Sequence, residues 1–456
     1  MASSPFRLLT LHYAAFQLAV AMAGGFVGAY LLKQGFSLPQ ALCAYAGLLA
    51  VRCGLRFVAL AVVRRFGYRA ALTTGVVLSA AQFAALLGAN DAAGLVAWLF
   101  VASLAEAFYW PVYHAAVAVL SGRSRGRELG IRTAAGAVAG VVGPLLGGVL
   151  LQRYGAAVDF GLAALLTLLS VLPLLALPPI EAGAPPRAAE TLRGLDRSAL
   201  LVFSADGWMT ACLGMAWPMA LFTILGSAYD AFGLANAAAG LAGAVGGLAC
   251  GRAIDRGGRG RYLLIVCGAL ALVFALRSAA SWAPTLGVLA HTLGAVTAGL
   301  YAPLLMSVVY DRAKDSGAAY RFHFIAEAGW DLGGATGCLA AAATALAAPA
   351  ASLAILPGAL GVVVLHRCVR GHDQRRAAED AERGRDGSPQ AMRQSRTIPR
   401  RPKHICNALS ATFSCGGAGP PRGVGSWRLR SCASWRSSPA RSFSDPSRSS
   451  VRRPSR

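Results

Sequence analysis

Apolar side chains fill long unbroken stretches of this chain, and charged residues collect in the short connections between them. Stretches of about 20 apolar residues are long enough, as helices, to cross a ~30 Å hydrocarbon core. Twelve recur, at 8–32, 41–63, 70–89, 93–120, 130–151, 158–178, 199–225, 232–251, 262–280, 285–310, 322–347 and 350–369. The pattern predicts an all-α integral membrane protein. Composition agrees: 56% hydrophobic and 14% charged residues, with mean hydropathy +0.53, lie far outside the norms of soluble chains. Arg7 and the small residues AVAMAGG give the first stretch some likeness to a signal peptide. Its apolar character continues through Leu32 without a polar break, so it is read as a retained span.

Charge changes the picture by giving a direction. Alternate connections carry Arg64, Arg65 and Arg69; Arg123, Arg125 and Arg127; Arg187, Arg193 and Arg197; Arg252, Arg256, Arg259 and Arg261; and Arg312, Lys314 and Arg321. The opposite set holds little beyond Lys33, Arg153 and Arg277. Positive residues near spans stay on the cytoplasmic side, which predicts a multi-pass protein of a bacterial-type inner (plasma) membrane with both termini cytoplasmic. The formal net charge of +23 suggests nucleic acid as a partner until its distribution is read. Residues 370–456 hold nineteen basic and six acidic residues, a net +13, in a sequence rich in Arg, Ser, Gly and Pro. That tail is expected to be a disordered, solvated appendage, with attraction to anionic lipid headgroups as the alternative reading. Cys406, Cys415 and Cys432 lack metal-ligand spacing, and the other cysteines are scattered through apolar stretches. No cofactor, metal or nucleic acid is expected.

Comparing the chain with itself reveals weak similarity at an offset of about 191 residues. Arg65 and Gly67 correspond to Arg256 and Gly258, Tyr109 and Pro111 to Tyr301 and Pro303, and Gly143 and Gly147 to Gly333 and Gly337. That offset spans six stretches, an even number, so the repeats point the same way across the membrane. The expected organisation is a six-helix bundle at 1–178, a cytoplasmic linker at 179–198, a second six-helix bundle at 199–369 and the basic tail at 370–456.

With Gly251, Asp255, Arg256, Gly258 and Arg259 after the eighth stretch, Gly130, Gly143, Pro144, Gly147 and Gly148 in the fifth, and the duplication just described, the chain resembles the major facilitator superfamily over residues 8–369 in three features. The connection after the eighth stretch reads GRAIDRGGR, in which Gly251, Asp255, Arg256, Gly258 and Arg259 match the family's loop signature. Its first-half copy is degraded, with Leu60 and Arg64 where Gly and Asp would stand. The fifth stretch, GIRTAAGAVAGVVGPLLGG, is similar to the family's glycine-rich antiporter motif at Gly130, Gly143, Pro144, Gly147 and Gly148, with Ala139 in place of a Gly. The third feature is the twelve-helix duplication. The resemblance implies secondary transport of a small solute by a monomer through alternating access. The fifth stretch lends a weak lean towards efflux, though close packing of small residues is an equal reading of it. The Arg that drug antiporters carry in the fourth stretch is missing, and Glu106 lies at its middle.

Family architecture implies that stretches 1, 4, 7 and 10 line a central cavity. An ionisable group at the bilayer centre costs about 2.5 to 3.5 kcal/mol on insertion scales, so it faces protein or water and marks a functional position. Glu106 and Asp206 are the candidate proton carriers, and neither has an opposite charge at i±3 or i±4 on its own helix. Both are expected to border one aqueous cavity, with His12, Gln17, Tyr109, Trp110, Trp208, His291 and Tyr301 completing it. Four further charges interrupt apolar stretches as i, i+4 pairs: Arg52 and Arg56 in the second, Glu327 and Asp331 in the eleventh. The resemblance places those helices side by side, so the predicted contact is a two-rung ladder, Arg56 with Glu327 and Arg52 with Asp331. It is read as a gate between the halves, with a static staple as the plainer alternative. Asp255 is expected near the start of the fifth helix, around Gly130 and Arg132. No nucleotide-binding loop, catalytic triad or metal cluster stands out, so the chain is not read as an enzyme or an ATP-driven pump, and the coupling ion is expected to be H+. The rival class is a membrane protein that keeps this scaffold for sensing or assembly without transport.

Overall fold

The computed structural model describes residues 4–120, 125–180, 185–193, 197–254, 259–315, 319–368 and 370. Its regular elements are helices, and eight segments of them are long and apolar enough to cross a membrane. Leu38–Leu87 is 50 residues long, about 75 Å at 1.5 Å per residue and more than twice a hydrocarbon core. Gly67, at φ 85° and ψ 169°, breaks it in a conformation that side chains disfavour. Ser37 caps its start in a reciprocal box with Gln40, whose backbone N–H donates to the Ser37 hydroxyl at 3.4 Å. The helices Ala92–Leu120 and Arg125–Tyr154 continue through Pro111 and Pro144.

Small residues set which helices touch. A side chain on Gly143 or Gly147 would collide with the backbone at Ala21 and Met22 of Ser4–Ala23, and one on Gly333 or Gly337 would meet the backbone at Ser204 and Trp208 of Arg197–Thr210. The glycine pairs matched by the sequence offset therefore do the same job, letting one helix lie backbone to backbone on another, Ser4–Ala23 in the first case and Arg197–Thr210 in the second. Leu172, Leu264, Leu289 and Leu346 are more than half exposed, as lipid-facing residues are.

Arg197–Thr210 passes into a π-helical turn, Ala211–Ala216, before continuing as Trp217–Ile224. Arg277, grouped by sequence with a polar connection, lies inside Arg259–Ser278 and is only 5% exposed. The helix runs past it, so the residue is buried among side chains rather than left at a loop. The loop-signature residues Asp255, Arg256 and Gly258 and the tail beyond 370 lie outside the described residues, as does the expected contact of Asp255.

Candidate functional site

Two guanidiniums and three carboxylates meet where Leu38–Leu87 packs on Ala319–Ala347, beside Ala92–Leu120. The i, i+4 spacing puts Arg52 and Arg56 on one face, and Glu327 and Asp331 on one face of the other helix. Arg52 Nε donates to Asp331 Oδ1 at 2.7 Å, and its Nη2 donates to the same oxygen. Arg56 Nη2 donates to Glu327 Oε2 at 3.1 Å. Lower numbers on one helix meet higher numbers on the other, so the two run antiparallel.

The structure adds two contacts to the expected pair of rungs. Arg56 Nε donates to Asp331 Oδ2 at 2.6 Å, so one carboxylate holds both arginines. Arg52 Nη1 donates to Glu106 Oε2, bringing in the third acid. Asp331 is fully buried and Arg56 nearly so, whereas the Glu106 and Glu327 side chains are 32% and 27% exposed. Ionised throughout, the group carries one negative charge in excess. The Trp330 ring lies 5.1 Å from the Arg52 guanidinium carbon, within cation–π range, and excludes water from that side.

Glu106 also lines a cavity of about 160 Å³, together with Phe16, Tyr45, Gln82, Tyr109 and Trp110. That suits a small solute and is below the roughly 300 to 1,000 Å³ of drug-sized pockets. Aromatic faces dominate it: Phe16 stacks on Tyr109 at 4.1 Å between centroids, and Trp110 meets Tyr109 edge-on at 5.0 Å.

The sequence model for the Major Facilitator Superfamily matches residues 9–337, well over half of the chain. The chain belongs to the major facilitator superfamily. Its fold is similar to the crystal structure of a point mutant of the nucleoside transporter NupG, with TM-score 0.61, 13% identity, and coverage of 81% of this chain and 99% of that one. It is also similar to a D-xylose-proton symporter, with TM-score 0.58, 14% identity, and coverage of 79% and 96%. Among curated proteins none matches significantly in sequence. As a member of the major facilitator superfamily it is a membrane-embedded, multi-pass transporter and not an enzyme.

Within this major facilitator fold, Glu106 and Asp206 do not share the cavity that Glu106 lines. All the lining residues of that cavity fall between Phe16 and Trp110. Asp206 is buried elsewhere, its Oδ1 accepting from the Tyr301 hydroxyl at 2.6 Å. The physical reason is that each acid finds its partner on another helix, Arg52 for Glu106 and Tyr301 for Asp206, so neither needs a common body of water. His12 is likewise a packed group: Nδ1 faces the Ser170 carbonyl at 2.8 Å and Nε2 the Tyr109 hydroxyl at 3.1 Å. Since a carbonyl only accepts, Nδ1 carries a proton, and in the neutral ring Nε2 accepts from Tyr109. Trp208 Nε1 donates to the Pro357 carbonyl at 2.7 Å, and His291 Nδ1 accepts from Trp217 Nε1 at 3.0 Å. The buried Gln17 Oε1 has no partner among the described residues. Of the nine residues expected to form one cavity, Glu106, Tyr109 and Trp110 line the one described.

The fifth-stretch glycines divide by contact. Gly148 lies against Tyr229 and Gly233 of Tyr229–Ile254, while nothing stands within 4 Å of where a Gly130 side chain would begin. Sequence reasoning missed Arg132, whose Nε donates to the Tyr113 hydroxyl at 2.8 Å and whose guanidinium lies 4.6 Å from the Tyr13 ring. A basic residue inside the apolar stretch 130–151, where it needs a partner on another helix, was the available signal.

Proposed function

We propose that this protein is a proton-coupled secondary transporter of a small solute, working by alternating access, and that Glu106 carries the coupling proton. The observation that carries the reading is two guanidiniums held by two carboxylates across one helix seam and by a third, the most exposed, from their own side and on the cavity. A proton arriving through the cavity meets Glu106 first. Neutral Glu106 releases Arg52 from its own side of the seam while Asp331 keeps both arginines across it, so the proton frees one arginine to shift without dismantling the seam. Loss of the proton to the opposite side restores the contact and resets the cycle. The ladder thereby acts as a gate.

The surrounding organisation follows the same proposal. Counting Leu38–Leu87 as two spans divided at Gly67, and adding Tyr229–Ile254, Pro284–Asp315 and Ala319–Ala347, brings the eight apolar segments to twelve crossings in two six-helix halves. The Arg-rich connections support an inner-membrane protein with cytoplasmic termini. The fifth-stretch motif supports a lean towards efflux, although its glycines also have a packing role. Untargeted comparison of metabolites in cells with and without the protein identifies the solute, and flux in vesicles with an imposed pH gradient tests the coupling. Glu106→Gln is expected to abolish gradient-driven flux while leaving solute exchange. Unchanged gradient-driven flux in that variant removes Glu106 as the carrier. No flux of any solute favours the sensing or assembly role.

A further inference from the structure

A third buried arginine, far from the ladder in sequence, has no carboxylate partner among the described residues. Arg277 is 5% exposed and makes no ion pair among the described residues. Its surroundings follow from the π-turn. Trp217 N–H bonds to the carbonyl of Cys212, five residues back, rather than to that of Leu213 as an α-helix would have it. The next residue in the wider register is Pro218, which has no N–H to give. The Leu213 carbonyl is therefore left over by the helix, and Arg277 Nη1 donates to it at 3.2 Å.

That contact uses one donor. The Arg277 guanidinium carbon lies 4.7 Å from the Trp217 ring, and its buried Nε has no hydrogen-bond partner among the described residues. The indole Nε1 of the same Trp217 donates to His291 Nδ1, which puts the proton of the neutral imidazole on Nε2. His291 Nε2 is also buried without a partner among the described residues. Two unsatisfied donors thus flank one indole, one of them on a permanent cation, and no described acceptor answers either. Buried donors are almost always matched, so the missing component is an acceptor, and beside an unpaired guanidinium it is an anionic one.

We propose that Arg277, His291 and Trp217 form a binding site for a small monovalent anion, a halide or the carboxylate of a small organic acid. Arg277 supplies the charge and a directed N–H, His291 Nε2 supplies a second N–H, and the Trp217 ring forms one wall. Gly294 is part of the construction, because a side chain there would begin well inside contact distance of Arg277 Nη2 and push the guanidinium aside.

The test is quenching of tryptophan fluorescence by iodide in the purified full-length protein at constant ionic strength. Wild type is expected to show a saturable component on top of linear collisional quenching, lost in Trp217→Phe and in Arg277→Gln and weakened several-fold in His291→Ala. Competition by chloride but not acetate assigns the site to halide, and competition by acetate and longer monocarboxylates assigns it to carboxylate. Purely linear quenching in wild type overturns the proposal without recourse to any variant. A saturable component that survives Arg277→Gln overturns it too. Should Arg277→Gln fail to fold, Arg277→Lys keeps the charge without the fork and is expected to retain saturation at weaker affinity; unaltered affinity there also counts against the site.

Discussion

Two seams join the N-terminal and C-terminal parts of the chain, and they are built on opposite principles. Where Leu38–Leu87 meets Ala319–Ala347, four charged side chains pair across, and Glu106 of Ala92–Leu120 holds Arg52 from its own side. Where Arg125–Tyr154 meets Tyr229–Ile254, backbones touch: side chains on Gly233 and Gly240 would collide with the carbonyls of Pro144 and Gly140. A contact between backbones is short-ranged and all or nothing, since a shift of about 1 Å already forfeits much of the dispersion attraction. Ion pairs weaken gradually with distance and can exchange a partner for water. The charged seam is therefore suited to respond to a proton, and the glycine seam to hold position until it separates as a unit.

Mutations that strike one seam at a time sharpen this contrast. The largest effect is expected from Asp331→Asn, which leaves two buried guanidiniums without their shared carboxylate; breaking such a pair costs about 3 to 5 kcal/mol. Thermal unfolding in detergent should fall steeply and flux should vanish, and a variant that melts like wild type would show that the seam is hydrated. Next comes Gly148→Leu, whose added side chain meets the Tyr229 carbonyl oxygen at 2.7 Å. Overpacking of this kind costs about 1 to 3 kcal/mol, and cysteine cross-linking between the two helices should drop with it. Glu106→Gln removes a partly exposed member of the charged seam, with an expected stability loss of about 1 kcal/mol or less despite the loss of coupling. A loss as large as that of Asp331→Asn would erase the distinction between anchor and proton carrier. Smallest of all is Gly130→Ala, on the glycine-seam helix but with open space around it, where melting should move by less than about 1 kcal/mol, and upward if helix propensity decides.

The charged seam was legible because charges are conspicuous in apolar stretches and i, i+4 spacing fixes their face. Its third acid was not, because the helix of Glu106 offers no opposite charge at i±3 or i±4, and the answering charge comes from Arg52 across a helix boundary. The family and its helical fold were readable from stretch length, charge alternation and the loop signature. Gly143, Gly147, Gly333 and Gly337 correspond by offset, yet only packing reveals what the match is for. His12 and Trp208 look like cavity residues because polarity within a span is ambiguous; carbonyls of Ser170 and Pro357, invisible to a side-chain reading, claim them. Arg277 reads as part of a connection because it stands near the end of its stretch. The clue to its burial lies elsewhere, in the proline that follows Trp217.

The π-turn also acts as a rotational offset. Asp206 and Trp217 are eleven residues apart, which at about 100° per residue would bring them to nearly the same side of an uninterrupted α-helix. One extra residue in the turn sets everything beyond it back by about 100°. Asp206 consequently addresses Tyr301, while Trp217 addresses Arg277 and His291. A single-residue deletion between Ala211 and Ala216 would remove the wide turn together with its extra residue and so leave Trp217 on its present side of Asp206, and labelling of introduced cysteines along 217–224 would keep its phase with that along 200–210.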